Sequence, residues 1–293
     1  MGVRRLESEA DVAAVKEFLA GLEAESGVPP LGESKFVDLG GARAGTGFLI
    51  ETDELVAYLH LLWHESSGLW EIELAAGEGA LDSAQTAAIV AAAAEEAAGE
   101  MRWWTFGDTG GAAFAATVFP TARTLHKLRG SLPPAEPAAI PEGLRVSAFR
   151  PGRDEEAWLE ANNAAFRGHP ENGGWDRAEL AERQTREWFE AEGFRLAWAG
   201  ARVAGFCWTK RHSADLGEIY IIGVHPDFQG KGIGRAIVIE AMWYLAGVGC
   251  DTGMLYVDTT NRSALELYQS LGFEVERVDR CFAIPKAWPH EAH

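Results

Sequence analysis

The sequence predicts an α/β (α+β) protein of two similar domains, each built on a mixed sheet. Three observations carry this. At 293 residues the chain exceeds one ordinary domain. Short β-rich runs alternate along it with segments of helical periodicity. The order of those segments then repeats. FLIETDELVAYLHLLW (48–63) falls on FRLAWAGARVAGFCW (194–208), LWEIEL (69–74) on LGEIYI (216–221), and MRWWTF (101–106) on MLYVDT (254–259). A period of about 150 residues is far longer than a solenoid repeat and marks duplicated domains.

In the first copy, Val12, Val15, Phe18, Leu19 and Leu22 recur at helical spacing and predict a helix over 9–24. GVPPLGE (27–33) is a loop. Residues 48–63 form two strands around a polar turn, and 70–74 is a further short strand. The alanine-rich stretch 80–99 is a helix closed by glycine. A strand at 102–106 and a short helix at 112–118 follow. Residues 131–141 hold four prolines and predict the linker, placing the domains at 1–135 and 142–293. The second copy then gives a strand at 144–149, a helix at 155–166, a loop at 169–175 and a helix at 178–189. After the hairpin 194–208 come the strand from Leu216, a helix to about Leu245, a strand at 254–257, a helix at 262–270 and a last strand from Phe273.

A composition of 47% hydrophobic and 24% charged residues is that of a globular protein, and the net charge of −18 disfavours nucleic acid and anionic membranes as partners. Three scattered cysteines give neither a disulfide framework nor a C-x-x-C metal pair, in keeping with a reducing cytoplasm. His60 and His64 share a strand face but lack a third ligand, so no metal is expected. The start of the chain has no apolar signal-peptide core, and no apolar run reaches membrane-span length. A monomer is expected. Most of the 11 tryptophans are core or cleft lining; Trp175 packs either in the core or on a sugar.

The chemistry centres on LGEIYIIGVHPDFQGKGIGR (216–235). Ile219, Tyr220, Ile221, Ile222 and Val224 have the composition of a buried strand, and Pro226 ends it. Gln229, Gly230, Lys231, Gly232, Ile233, Gly234 and Arg235 then lead into an amphipathic helix. Strand, glycine turn and helix converge backbone N–H groups on an anion, while Lys231 and Arg235 add positive charge. A pyrophosphate is the expected guest. Neither the dinucleotide fingerprint nor the Walker loop matches in order or position.

The run instead resembles the Q/R-x-x-G-x-G/A acetyl-CoA loop of the GNAT superfamily of N-acetyltransferases, flanked by Gly-Val-His-Pro before it and Leu-Gly-Phe after. The resemblance implies two tandem GNAT-like domains, each a mostly antiparallel sheet flanked by helices, and acetyl-CoA as acetyl donor. An amine must be neutral to attack a thioester, and an α-amino group of pKa roughly 7.7–8.0 yields its proton to a weak base. Glu218 is the candidate, as an attractor of the ammonium, a base acting through water, or both; the alternative is a strand-end carboxylate. Tyr268, which the GNAT pattern puts near the coenzyme sulfur, is the proton donor to the departing thiolate or else a helix-core residue. The Val224 N–H, where strand pairing ends, polarises the thioester carbonyl. Asn261 is an N-cap or a cofactor contact.

More narrowly, the tandem arrangement, HPENGGW, WTK, LGEIYIIGV, LYVDTTN and LYQSLGF resemble the mycothiol synthase family. That likeness implies acetylation of the cysteinyl amine of cysteinyl-glucosaminyl-inositol. It implies acetyl-CoA contacts at Ile222, Gly223 and Val224, at 229–235, and at Asn261, Arg262, Ser263, Ala264, Leu265 and Glu266. It puts the small-molecule acceptor against Glu33, Glu171, Lys210, Glu218 and Tyr256. In the first domain the glycine loop is replaced by the acidic AAGEGALD (75–82), and no tyrosine occurs between Met101 and Gly130. That domain is expected to bind acetyl-CoA poorly or not at all, and to serve as scaffold and cleft wall. The alternatives are acetylation of another small amine or a protein N-terminus, and a non-catalytic acetyl-CoA sensor.

Overall fold

The computed structural model of the chain describes residues 2–39, 45–64, 68–97, 99–168, 172–286 and 288, with the backbone alone for residues 33, 34 and 37. It divides into two compact units, one of residues 1–125 with 277–293 and the other of residues 126–276. The first contains β1 (Gly2–Arg5), α1 (Glu9–Ser26), α2 (Glu33–Asp38), β2 (Gly45–Glu51), β3 (Leu55–His64), β4 (Leu69–Ala76), α3 (Ser83–Ala97), β5 (Met101–Phe106) and α4 (Ala112–Val118). Strand β6 (Thr121–Ser131) begins there and ends in the second unit. The second unit adds β7 (Leu144–Ala148), α5 (Glu155–Ala165), α6 (Arg177–Gln184), β8 (Phe194–Ala199) and β9 (Arg202–Arg211). It continues with β10 (Leu216–Val224), α7 (Ile233–Gly247), β11 (Thr252–Asp258) and α8 (Arg262–Ser270). Strand β12 (Glu274–Ile284) starts in the second unit and finishes in the first.

Each unit carries a mixed, mostly antiparallel sheet, as the sequence predicts. In the first the order is β1-β2-β3-β4-β5-β12, with β4 and β5 the parallel pair. In the second it is β6-β11-β10-β9-β8-β7, with β10 and β11 parallel. The duplication is therefore visible in the strand directions. Among the described residues no helix is long and apolar enough to cross a membrane.

Local chemistry accounts for the element ends. At α1 the Ser8 hydroxyl accepts the Asp11 N–H (3.1 Å) while the Asp11 carboxylate accepts the Ser8 N–H (3.0 Å), a reciprocal cap. Its inner face buries Val15 and Leu19 with Leu49 and Tyr58. The expected helix 178–189 stops at Gln184, because Trp188 and Phe189 leave the helical path to pack on Trp208, at 5.9 and 5.6 Å between ring centroids. Strands β1 and β6 and helix α2 were not expected.

The boundary also differs from the one expected. Residues 131–141 are no free linker. Leu132 is buried and its N–H donates to Asp251 O (2.7 Å), and the Trp243 indole donates to Glu136 O (3.1 Å). The chain passes between units inside β6 and again inside β12, where Asp279–Ile284 pair antiparallel with β5. The second unit is thus not the contiguous 142–293.

The second unit is braced by an aromatic cluster. Phe149 stacks on Phe194 (4.6 Å, 9°) and Phe194 on Trp208 (4.4 Å, 6°), while Trp158 meets Phe194, Phe206, Trp175 and Trp208 edge-on. Trp175 belongs to this core, with the Arg183 guanidinium 3.8 Å over its ring, so the sugar-stacking alternative falls away. Trp158→Ala, which empties the centre of the cluster, is expected to destabilise the protein by about 3–5 kcal/mol. The shift in its denaturant midpoint measures this.

Candidate active site

The site is built where β10 leaves its parallel neighbour. β10 and β11 pair in register only at Leu216–Thr252, Gly217–Gly253 and Glu218–Met254. On the other side β10 stays paired with β9 through Val224, but with a bulge between Ile219 and Ile221 that leaves Tyr220 without an opposite residue. A bulge bends and twists its strand, here at the point where the parallel pairing ends.

At the end of β10 the His225 N–H donates to Ala204 O (3.0 Å), and a 3₁₀ turn at Pro226–Phe228 redirects the chain. Gly230 and Gly232 follow with φ of 74° and 77°. These are left-handed values that favour glycine, and open space surrounds the position a Cβ would take on either. Gly232 is the N-cap of α7 and supplies no side-chain cap, so the first-turn N–H groups of this 15-residue helix are left for an external acceptor. The helix is anchored behind by buried Ile233, Ala236, Ile237, Val238 and Ile239. Lys231 lies over the Phe228 ring (5.2 Å) and donates to Asp227 O (3.4 Å), while Gln229 donates to Val224 O (3.4 Å). Arg235, expected to supply charge to the cradle, is ion-paired with Glu136 and donates to the Ser270 hydroxyl (2.7 Å).

Near the start of β10, Glu218 and Lys210 face each other across the β9–β10 ladder, both buried. The Lys210 ammonium lies 4.9 Å from the Trp188 ring and 5.9 Å from Tyr220. Glu218 Oε2 is 2.7 Å from His212 Nε2. Tyr256 is exposed on β11, two residues beyond the partner of Glu218. Tyr268 is buried on α8 near Phe273, within the core cluster that also holds Cys207. Burial pushes its phenol above the usual tyrosine range and the neighbouring Cys207 adds to this, so it remains an O–H donor. Asn261 takes its capping role, accepting the Ala264 N–H (3.2 Å). Arg262, Ser263 and Glu266 are exposed along α8 and Ala264 and Leu265 half-buried. Glu171 lies outside the described residues. Glu33 opens α2 in the first unit, and its side chain is not among those described.

Sequence reasoning missed His212, Trp188 and Glu136. Only His212 left a signal, as a histidine six residues before the candidate base in the same hairpin.

The corresponding place in the first unit is chemically closed. α3 begins with a reciprocal cap in which Asp82 accepts the Gln85 N–H and Gln85 accepts the Asp82 N–H, both at 2.8 Å. A carboxylate thus occupies the helix N-terminus that glycine leaves open in the second unit. On β4, Glu71 and Glu73 each lie 2.9 Å from the buried Lys35 ammonium. Burial disfavours that charge, but Glu73 and Glu71 outweigh it and hold the ammonium above its usual range. His60 lies between Tyr58 and Asp38, and His64 is 3.0 Å from Glu71. Among the described residues no group of His, Cys, Asp and Glu could hold a metal. The three cysteines are buried and unpaired with one another.

Residues 156–273 match the model of the acetyltransferase (GNAT) family. Two solved structures share the fold over 97% of the chain. One is a GCN5-related N-acetyltransferase from Sphaerobacter thermophilus, with TM-score 0.73 at 19% identity over 96% of its length. The other is a tandem GNAT protein from the clavulanic acid biosynthesis pathway, with TM-score 0.73 at 18% identity over 98% of its length. With that family match and the relatives below, the chain is a GNAT-type N-acetyltransferase. Among relatives, the mycothiol acetyltransferase of Thermomonospora curvata is 36% identical across 94% of this chain and 95% of its own length. That of Thermobispora bispora is 38% identical across 93% and 96%. The chain belongs to the mycothiol acetyltransferase family.

Because the Tyr268 phenol is held neutral by burial, it should ionise later than free tyrosine, whose pKa is about 10. The alkaline ultraviolet difference between the protein and Tyr268→Phe is therefore expected to show no phenolate component at that pH. A component titrating there would place Tyr268 in water.

Proposed function

We propose that the chain transfers the acetyl group of acetyl-CoA to the cysteinyl amine of cysteinyl-glucosaminyl-inositol, forming mycothiol. The acceptor rests on one observation, similarity to mycothiol acetyltransferases over nearly the whole length of both chains. The reaction type is supported by the geometry around β10. When bound, acetyl-CoA supplies an activated acyl group on sulfur.

This chain's residues do the rest. The backbone of Gln229 to Arg235 fits a diphosphate, since its two left-handed glycines leave no side chain in the way and the α7 N–H groups are uncapped. Residues Ile222 to Val224 offer strand backbone beyond the point where β11 stops pairing, and the Val224 N–H is suited to polarise an acyl carbonyl. Residues Asn261 to Glu266 bound the other flank. Glu218, buried and acidic, attracts the acceptor's ammonium and takes its proton. Tyr268 is a neutral hydroxyl that donates to the sulfur as it departs. A thiol of pKa about 8.5 is a stronger acid than a tyrosine phenol of pKa about 10, so this donor stabilises the thiolate by hydrogen bonding as much as by proton transfer. Lys210 and Tyr256 serve the hydroxyl-rich acceptor. The first unit, with Asp82 already capping its helix, acts as scaffold.

Purified protein, acetyl-CoA and the cysteinyl pseudodisaccharide test this by release of free coenzyme A. Turnover supports the assignment; coenzyme binding without turnover of any amine would make the protein a sensor. Gly232→Glu is expected to abolish acetyl-CoA binding in calorimetry. Tyr268→Phe should lower kcat by about 100-fold or more with little change in coenzyme affinity. Unchanged turnover would remove the tyrosine from the mechanism.

A further inference from the structure

The net reaction of an ammonium acceptor with an acyl thioester gives an amide, a thiol and one proton. The N–C bond forms as the C–S bond breaks; nitrogen sheds two protons, sulfur recovers one, and the other must reach water. Glu218 is ill placed to discharge it directly, since its side chain is only 9% exposed. Among the described residues, His212 is the side chain that hydrogen-bonds it, Nε2 to Oε2 at 2.7 Å, and that imidazole is 31% exposed. His212 is itself fixed where the β9–β10 hairpin closes, its N–H donating to Leu216 O at 2.9 Å. The ring bridges a buried carboxylate and solvent.

The duplication supplies an internal control. The equivalent hairpin of the first unit ends in His64, with Nε2 3.0 Å from Oε2 of Glu71, the counterpart of Glu218 in the LWEIEL and LGEIYI repeat. There the carboxylate also receives the buried Lys35 ammonium at 2.9 Å. Burial pushes the Glu71 carboxyl up, but His64 and Lys35 outweigh it and hold it down at about 2. The first-unit carboxylate thus carries a lysine as well as an imidazole, while His212 is the imidazole on Glu218, with Lys210 opposite it on the ladder.

We infer that His212 is the positioning residue for Glu218, fixing the carboxylate toward the acceptor amine and carrying the released proton to solvent. This rests on the acetyltransferase reading above. It predicts that His212→Ala lowers kcat about 10–100-fold while the KM for acetyl-CoA stays within about twofold, and that added imidazole recovers part of the loss. In a Glu218→Gln background the His212→Ala change should cost nothing more, since the two act as one unit. L-Cysteine amide serves as a second acceptor beside the pseudodisaccharide. If the unaltered enzyme acetylates only cysteine amide, the acceptor assignment fails and the His212 comparison proceeds on that amine. If it acetylates no amine, both readings fall. Wild-type kcat in His212→Ala, or losses that multiply in the double variant, would overturn the role of His212 alone.

Discussion

Everything in the second unit depends on strand β10 being held by one neighbour and released by the other. Three parallel residue pairs fasten it to β11, and then the pairing stops at Glu218 while the β9 ladder continues to Val224. Backbone polar groups removed from a ladder need other partners or water. A gap between parallel strands therefore offers donors and acceptors to an extended ligand without disrupting the fold. The aromatic stack of Phe149, Phe194 and Trp208 and the buried face of α7 keep the remaining strands rigid around that gap.

The first unit shows what the same plan becomes when the gap is not used. Its parallel pair runs two residues further along the repeat, from Trp70–Met101 to Glu73–Trp104. Charges that would face a ligand are turned on one another instead, with Lys35 buried between Glu71 and Glu73. Burying such a set is costly unless the geometry is good, and breaking it leaves a charge stranded. Both units thus hold a histidine–glutamate pair at the closing end of the hairpin, and the first adds a buried lysine and an aspartate cap.

Much of this was legible in the residues. The repeat announced two domains, hydrophobic periodicity located most helices and strands, and the glycine spacing marked the turn before α7. What escaped has physical causes. TARTLHKLRGS has little β-branched character and alternating basic residues, so β6 is a strand by pairing rather than by propensity. Residues 131–141 look like a linker because proline rules out helix and ladder, yet proline does not prevent Leu132 and Glu136 from docking. The partner of Arg235 is likewise out of sight in the sequence, since Glu136 lies 99 residues away along the chain. His212 carries no motif, and its meaning arises only when the hairpin folds it onto Glu218.

The exchange of strand segments has a consequence for how such a chain can be divided or inherited. Residues 277–293 complete the first unit although they follow the whole of the second, and residues 126–131 belong to the second unit although they precede its other strands. Cutting at the proline-rich segment would leave both pieces with exposed sheet edges, which template aggregation. Neither half is a contiguous module that recombination could lift out intact, so the two copies are bound to persist and turn over together.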